Sequence, residues 1–464
     1  MKKESNLFTS AMLYTIGSFL LKGINFFTIP IFTRLLNTAD YGITSIYTTW
    51  SGLFAIFVGL GINGTIGSAK ANLDENEYKE YLSSNMFLST VVFLIILILI
   101  SIFKKKLSIV VGLSSSLCIL LVIQSFFSFV ISFISSVYTF DKEPIKYLKL
   151  SFITTLLNII VSILLILSLD SNRYLGKIYG SASVTIVMGI ILYFNIIFKG
   201  KKLISKKHWG YCLPIAIPII FHNISHLVLN QADRVMLQQW TNDSIVGIYS
   251  FTYNIGIMLN IIHMSINSAW VAWYFDSLKD KIYEEIEDKA KWYIIIFTVI
   301  TGMFLLGSPE VIKILSPKEY WEGIKLLPLI ILGYYFVFLY TFGVNYEFFK
   351  KKTSFIAAGT IVAALINIGV NFILIPKIGV SGAAISTLVA YFILFVMHEF
   401  IVRIIMKHKD FPFYYYIYSL ILVVITTSIT YLLLDRLIVR WLIIILSFML
   451  ISIIAIKIFK RNKK

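Results

Sequence analysis

Long apolar runs, separated by short segments of charged and turn-forming residues, set the rhythm of the chain. Each run is of the length, about 20 residues, that an α-helix needs to cross a bilayer. Fourteen spans are predicted, at 8–33, 41–68, 82–103, 109–139, 147–169, 175–198, 212–231, 245–273, 292–308, 323–347, 353–376, 380–405, 412–434 and 437–458. Pro30 in the first and Pro214 and Pro218 in the seventh predict bends, because proline removes a helical hydrogen bond. The longest connection, 275–291, is amphipathic and carries Glu284, Glu285, Glu287 and Asp288. The expected fold is therefore all-α and integral to a membrane.

A second pattern overlies the first. Asn158-Ile159-Ile160-Val161-Ser162-Ile163-Leu164-Leu165-Ile166 recurs as Asn367-Ile368-Gly369-Val370-Asn371-Phe372-Ile373-Leu374-Ile375. Thr38-Ala39-Asp40-Tyr41-Gly42 has a looser echo in Thr241-Asn242-Asp243 with Gly247-Ile248-Tyr249. Six spans separate repeat partners, and an even separation makes the halves parallel, related by an axis along the membrane normal. The predicted organisation is a six-helix half at 1–198 and a basic linker at 199–211. A second six-helix half follows at 212–405, then two extra spans with a basic tail at 406–464. Internally duplicated membrane proteins hold substrate between their halves and work by rocking them, so a transporter is expected.

Composition supports the membrane assignment. Hydrophobic residues make up 58% of the 464, mean hydropathy is +0.84 and only 14% are charged. A soluble protein of this size has no interior large enough to hide that surface. The net charge of +17 would suggest nucleic acid in a soluble chain. Here it follows from topology, since most Lys and Arg fall on the side that holds both termini. The expected location is the bacterial cytoplasmic (inner) membrane, multi-pass, with both termini in the cytoplasm; Lys104-Lys105-Lys106 runs against that rule. The N-terminal run is longer than a signal-peptide core and has no Ala-x-Ala site, so it reads as a retained span. Cys118 and Cys212 sit in apolar segments, which predicts packed thiols rather than a disulfide or zinc site. There is no Gly-x-x-x-x-Gly-Lys-Ser/Thr loop, and no outer connection has room for a catalytic domain. The chain is not expected to be an enzyme.

Ionisable groups within spans are functional candidates by default. Lys22 shares a helical face with Thr15, Ser18, Asn25 and Thr28. It either faces a watery cavity or snorkels toward the outer headgroups. The seventh span, repeat partner of the first, carries His222, His226, Asn230 and Arg234 at intervals of four. Asp233 adjoins Arg234, and Arg34 occupies a comparable place before Asp40; these charges either pin helix ends as ion pairs or contact substrate. Lys22, Asn25, His222, His226, Asn230 and Arg234 are the substrate-binding candidates, with Arg34, Asp40 and Asp233 as an outer gate. Weaker polar stripes run through Gln124, Ser128, Ser132 and Ser135, through Asn260, His263 and Asn267, and through Asn367 and Asn371. Glu347 is the ion-coupling candidate, for a proton or Na⁺, the alternative being an interfacial salt bridge with Lys350-Lys351-Lys352. No other cofactor and no metal are expected.

Three motifs carry a resemblance: Arg34-Leu35-Leu36 with Asp40-Tyr41-Gly42, Asp233-Arg234 with Val246-Gly247-Ile248-Tyr249, and Asn371-Phe372-Ile373-Leu374-Ile375-Pro376-Lys377-Ile378-Gly379-Val380-Ser381-Gly382-Ala383-Ala384. With them the whole chain resembles the multidrug/oligosaccharidyl-lipid/polysaccharide transporter superfamily, most closely its bacterial polysaccharide repeat-unit (Wzx-type) flippases. Gln238-Gln239-Trp240 departs from the smaller, glycine-containing turn of such proteins. The resemblance implies a V-shaped protein with a central cavity. It would flip an undecaprenyl-pyrophosphate-linked oligosaccharide for O-antigen, lipopolysaccharide or capsule assembly. Membrane lipids, a polysaccharide polymerase and chain-length proteins are the implied partners, and nucleic acid is not. The competing readings are a cation-coupled multidrug exporter of the same fold, a murein lipid-precursor flippase, and a membrane polysaccharide polymerase or ligase.

Overall fold

The computed structural model describes residues 17, 23, 24 and 26–461, with side chains as far as residue 449. Among the described residues every regular element is helical and there is no strand. Twelve helices are long and apolar enough to cross a membrane. These correspond to the second through thirteenth expected spans. Two shorter apolar helices, Phe26–Leu35 and Leu437–Met449, lie where the first and last were expected. The protein is thus an all-helical, multi-pass membrane protein.

The chain forms two compact units, dividing after Gly247. The first contains α1 (Phe26–Leu35), α2 (Thr38–Gly59), a 3-10 turn (Ile62–Thr65), α3 (Ile66–Asn72) and α4 (Glu75–Val111). It continues through α5 (Ser115–Phe140), α6 (Pro144–Leu167), α7 (Arg173–Gly200) and α8 (Lys206–Trp240). Helix α9 (Asp243–Asp280) begins at the end of this unit. The second holds α10 (Tyr283–Leu315), α11 (Leu327–Phe349), α12 (Thr353–Ile378), α13 (Val380–Phe400), α14 (Tyr414–Leu432) and α15 (Leu437–Arg461).

Local chemistry sets the helix ends. Asn37 and Asp74 accept hydrogen bonds from the first free N–H groups of α2 and α4, and Ser114 and Ser205 do the same for α5 and α8. Three boundaries differ from expectation. The second expected span breaks at Leu60 and Gly61, both left-handed at φ 49° and 67°, and a 3-10 turn follows. Helix α4 runs through Lys104–Lys106 to Val111, so residues 109–111 belong to it rather than to the next span. At 37 residues it is about 55 Å long against a hydrocarbon core of about 30 Å, which puts its charged ends beyond the apolar part. The charged stretch 275–291 is divided between the ends of α9 and α10 around a short turn.

The duplicated stretches are built alike. In the first unit, a Cβ added at Gly176 of α7 would lie 2.6 Å from the Ile166 backbone nitrogen and 2.8 Å from the Leu165 carbonyl carbon of α6. In the second, a Cβ at Gly382 of α13 would lie 2.6 Å from the Leu374 carbonyl carbon and 2.9 Å from the Ile375 nitrogen of α12. Leu165-Ile166 and Leu374-Ile375 are equivalent positions of the repeat. Small residues let helix backbones approach, and each hairpin closes on one. The looser echo also meets itself within the first unit: Gly42 packs on the Asp243 carbonyl, Gly247 packs on that of Thr38, and Thr38 and Ser244 share a hydrogen bond of 2.5 Å. Gly176→Val and Gly382→Val are each expected to destabilise the protein by about 1–3 kcal/mol through overpacking. Thermal melting in detergent checks this, and unchanged melting would show that the hairpins do not depend on backbone contact.

Candidate functional site

Helix α8 carries the polar row expected on the seventh span. Ser205 caps it, and it stays helical through Pro214 and Pro218 to Trp240. His222 and His226 are exposed, Asn230 is half-buried, and Asp233 and Arg234 are buried. Spacing of four keeps the row on one face, and hydrogen bonds join His226, Asn230 and Arg234 in series. The Asn230 amide donates to the His226 carbonyl at 2.7 Å and lies 3.5 Å from His226 Nε2. Arg234 Nη1 donates to the Asn230 carbonyl at 3.5 Å, and Asp233 Oδ1 accepts from the Arg234 backbone N–H at 3.1 Å. At the end of α8, Gln238 donates to Asp243 Oδ1 at 2.9 Å. The larger turn residue therefore ties α8 to the start of α9.

Lys22 and Asn25, the expected counterparts on the first span, lie outside the described residues. Arg34 is exposed and donates to the Pro30 carbonyl at 2.9 Å. Asp40 is buried, and its carboxylate faces the Tyr174 backbone N–H and the Arg173 guanidinium at the start of α7. Sequence spacing does not reveal Arg173 as its neighbour.

A separate cavity of about 350 Å³ lies among α2, the 3-10 turn, α5 and α8. Asn63, Ser128, Ser132 and Asn223 supply its polar lining, while the row from His222 to Arg234 does not reach it. The Asn63 amide donates to Ser132 Oγ at 2.8 Å, and its buried carbonyl oxygen has no hydrogen-bond partner. Two of the four residues in the α5 stripe thus line a cavity. Gln124 instead joins helices, accepting from Tyr47 at 2.8 Å and donating to Ser181 at 3.2 Å.

In the second unit, Glu347 of α11 is fully buried. Its Oε1 lies 2.9 Å from Nδ1 of His398 on α13, itself 1% exposed, and Oε2 has no hydrogen-bond partner. The lysines at 350–352 do not pair with it. His263 is buried against the edges of Phe297 and Phe338. The Asn367 amide reaches Ser386 and Thr387 at 3.4 and 3.5 Å and joins α12 to α13. Among the described residues no group of three His, Cys, Asp or Glu side chains is placed to hold a metal ion.

Comparison with known proteins bears on the whole arrangement. The family model described as "Polysaccharide biosynthesis protein" matches residues 7–276. An "Uncharacterized membrane protein" of Haemophilus influenzae is 24% identical over 395 residues, covering 82% of this chain and 94% of that one. Among solved structures, "Lipid II flippase MurJ, inward closed conformation" aligns with a TM-score of 0.77 at 16% identity, over 97% of this chain and 99% of that one. A "multidrug resistance MATE family transporter of the MOP superfamily" in an inward-facing conformation aligns with a TM-score of 0.58 at 15% identity, over 84% and 96%. Both likenesses are of fold.

Proposed function

Since the chain belongs to the polysaccharide biosynthesis protein family and has the fold of MOP-superfamily transporters, we propose that it flips a lipid-linked oligosaccharide across the bacterial cytoplasmic membrane. The cargo is an undecaprenyl-pyrophosphate-linked repeat unit, carried from the inner to the outer leaflet for surface polysaccharide such as O-antigen or capsule. The halves 1–198 and 212–405 alternate access, and the charges of Arg34, Asp40 and Asp233 gate the outer end. The observation that carries this reading is the row His222, His226, Asn230 and Arg234 on one face of α8. A pyrophosphate brings negative charge into a membrane interior, and cations with amide donors offset it where water is scarce. Lys22 and Asn25 extend the same chemistry from the first span. A cationic drug calls for carboxylates instead, and a polymerase or ligase for a long outer catalytic loop.

Deleting the gene should remove surface polysaccharide and leave cells viable. Lethality with murein collapse, or drug sensitivity alone, would reject the assignment. Within the same assay, Lys22→Ala should abolish export at unchanged protein level, and Lys22→Arg should keep part of it. Unaltered polysaccharide in Lys22→Ala would return that residue to a snorkelling role.

A further inference from the structure

A cavity of about 620 Å³ in the first unit lies away from the α8 row, where α3, α4, α5, α6 and α7 meet at one end. Its walls are of two kinds. Leu82, Ile134 and Ile196 form a buried apolar side. Lysines crowd the other side, and three of the four are already matched: Lys70 with Asp141, Lys79 with Glu75 and Lys146 with Glu143, each at 2.7 Å. The Lys79–Glu75 and Lys146–Glu143 pairs are solvent-exposed and hold little energy.

Two donors stand out. Lys199, exposed near the end of α7, lines the cavity with no carboxylate in ion-pair reach among the described residues. Tyr78 also lines it, is 3% exposed, and its buried hydroxyl has no hydrogen-bond partner. A buried donor left unmade costs about 1–3 kcal/mol, so such a group signals a missing acceptor. Lys70 is held against the Tyr78 ring, its ammonium 4.6 Å from the centroid, and its charge is met by Asp141.

We propose that this cavity binds the phosphate of an anionic lipid headgroup. The phosphate takes the Tyr78 hydroxyl and the Lys199 ammonium, and the proximal acyl or glycerol carbons rest on Leu82, Ile134 and Ile196. An unpaired cation and an unpaired hydroxyl suit a phosphate oxygen, which accepts from both. The apolar wall suits an amphiphile better than a free anion, which would leave it unused. The site is distinct from the α8 row and does not rest on the transport reading.

The test is binding to the purified full-length protein in detergent, followed by native mass spectrometry and thermal shift. Phosphatidylglycerol, phosphatidylcholine and inorganic phosphate are the probes. Phosphatidylglycerol should bind and raise the melting temperature, with phosphatidylcholine weaker. Tyr78→Phe removes only the hydroxyl, and Lys199→Gln changes an exposed side chain, so neither threatens folding. Each should weaken phosphatidylglycerol about tenfold, as loss of one charge-assisted hydrogen bond does. If inorganic phosphate gives the same shift with the same sensitivity to both variants, the phosphate site stands and its source is soluble. Equal binding of every probe by wild type and both variants would overturn the proposal.

Discussion

Arg440→Ala is expected to lower stability by about 3–5 kcal/mol, the cost of removing one partner from a buried ion pair. Arg440, at the start of α15, is fully buried. Its guanidinium grips Glu310 of α10 through both oxygens, at 2.5 and 2.7 Å. Its remaining donors reach the carbonyls of Leu306 on α10 at 2.7 Å, Leu433 at 2.9 Å and Leu434 at 3.2 Å. One side chain thus joins α10, the end of α14 and α15, and anchors the last two helices within the second unit. Truncation strands a carboxylate and three carbonyls at once. Replacing the pair together, Arg440→Leu with Glu310→Leu, should recover most of the loss, because well-packed apolar residues substitute for buried pairs. Melting of the single and double variants in detergent forms the cycle. Arg440→Ala melting like the wild type would mean that the pair is stabilised no better than its solvated parts.

The spans were legible because each apolar run carries its own helical information, and caps such as Asn37, Asp74 and Ser114 stand beside the runs they start. The repeat was legible for a sharper reason. Leu165-Ile166 and Leu374-Ile375 each receive the close approach of a glycine, so identical packing demands keep the two stretches alike. Three side chains of α8 at intervals of four had to share a face, and His226, Asn230 and Arg234 are hydrogen-bonded in series. Pairings across the chain left no such mark. Arg173 beside Asp40, His398 beside Glu347 and Arg440 on Glu310 each depend on tertiary packing that no local period encodes. Lys350–Lys352 was the nearer partner for Glu347 along the chain, but Glu347 points into the helix packing while those lysines follow the helix end. Asn223 was missed by a single residue: one step along α8 from His222 turns the side chain about 100° and brings it to the cavity of Asn63 and Ser132.

Glu347→Gln is expected to uncouple export, leaving the rate under an imposed ion gradient no higher than the rate without one. The ground is the Glu347–His398 pair, two titratable groups 2.9 Å apart with almost no exposure. A buried pair of this kind in a transporter span has a functional role by default, and the free Oε2 of Glu347 leaves an acceptor for a proton. Na⁺ is the poorer occupant, because a hard cation collects several oxygen ligands and the neighbour here is an imidazole nitrogen. Gln keeps the shape and one hydrogen bond to His398 but holds no exchangeable charge, so folding should survive. His398→Gln should show the same loss of coupling from the other partner. The measurement is flipping of a fluorescent lipid-linked oligosaccharide in proteoliposomes under a proton gradient, a Na⁺ gradient and neither. Proton-driven acceleration that persists in both variants would remove the pair from the coupling path, and acceleration by Na⁺ alone in the wild type would place coupling at other residues.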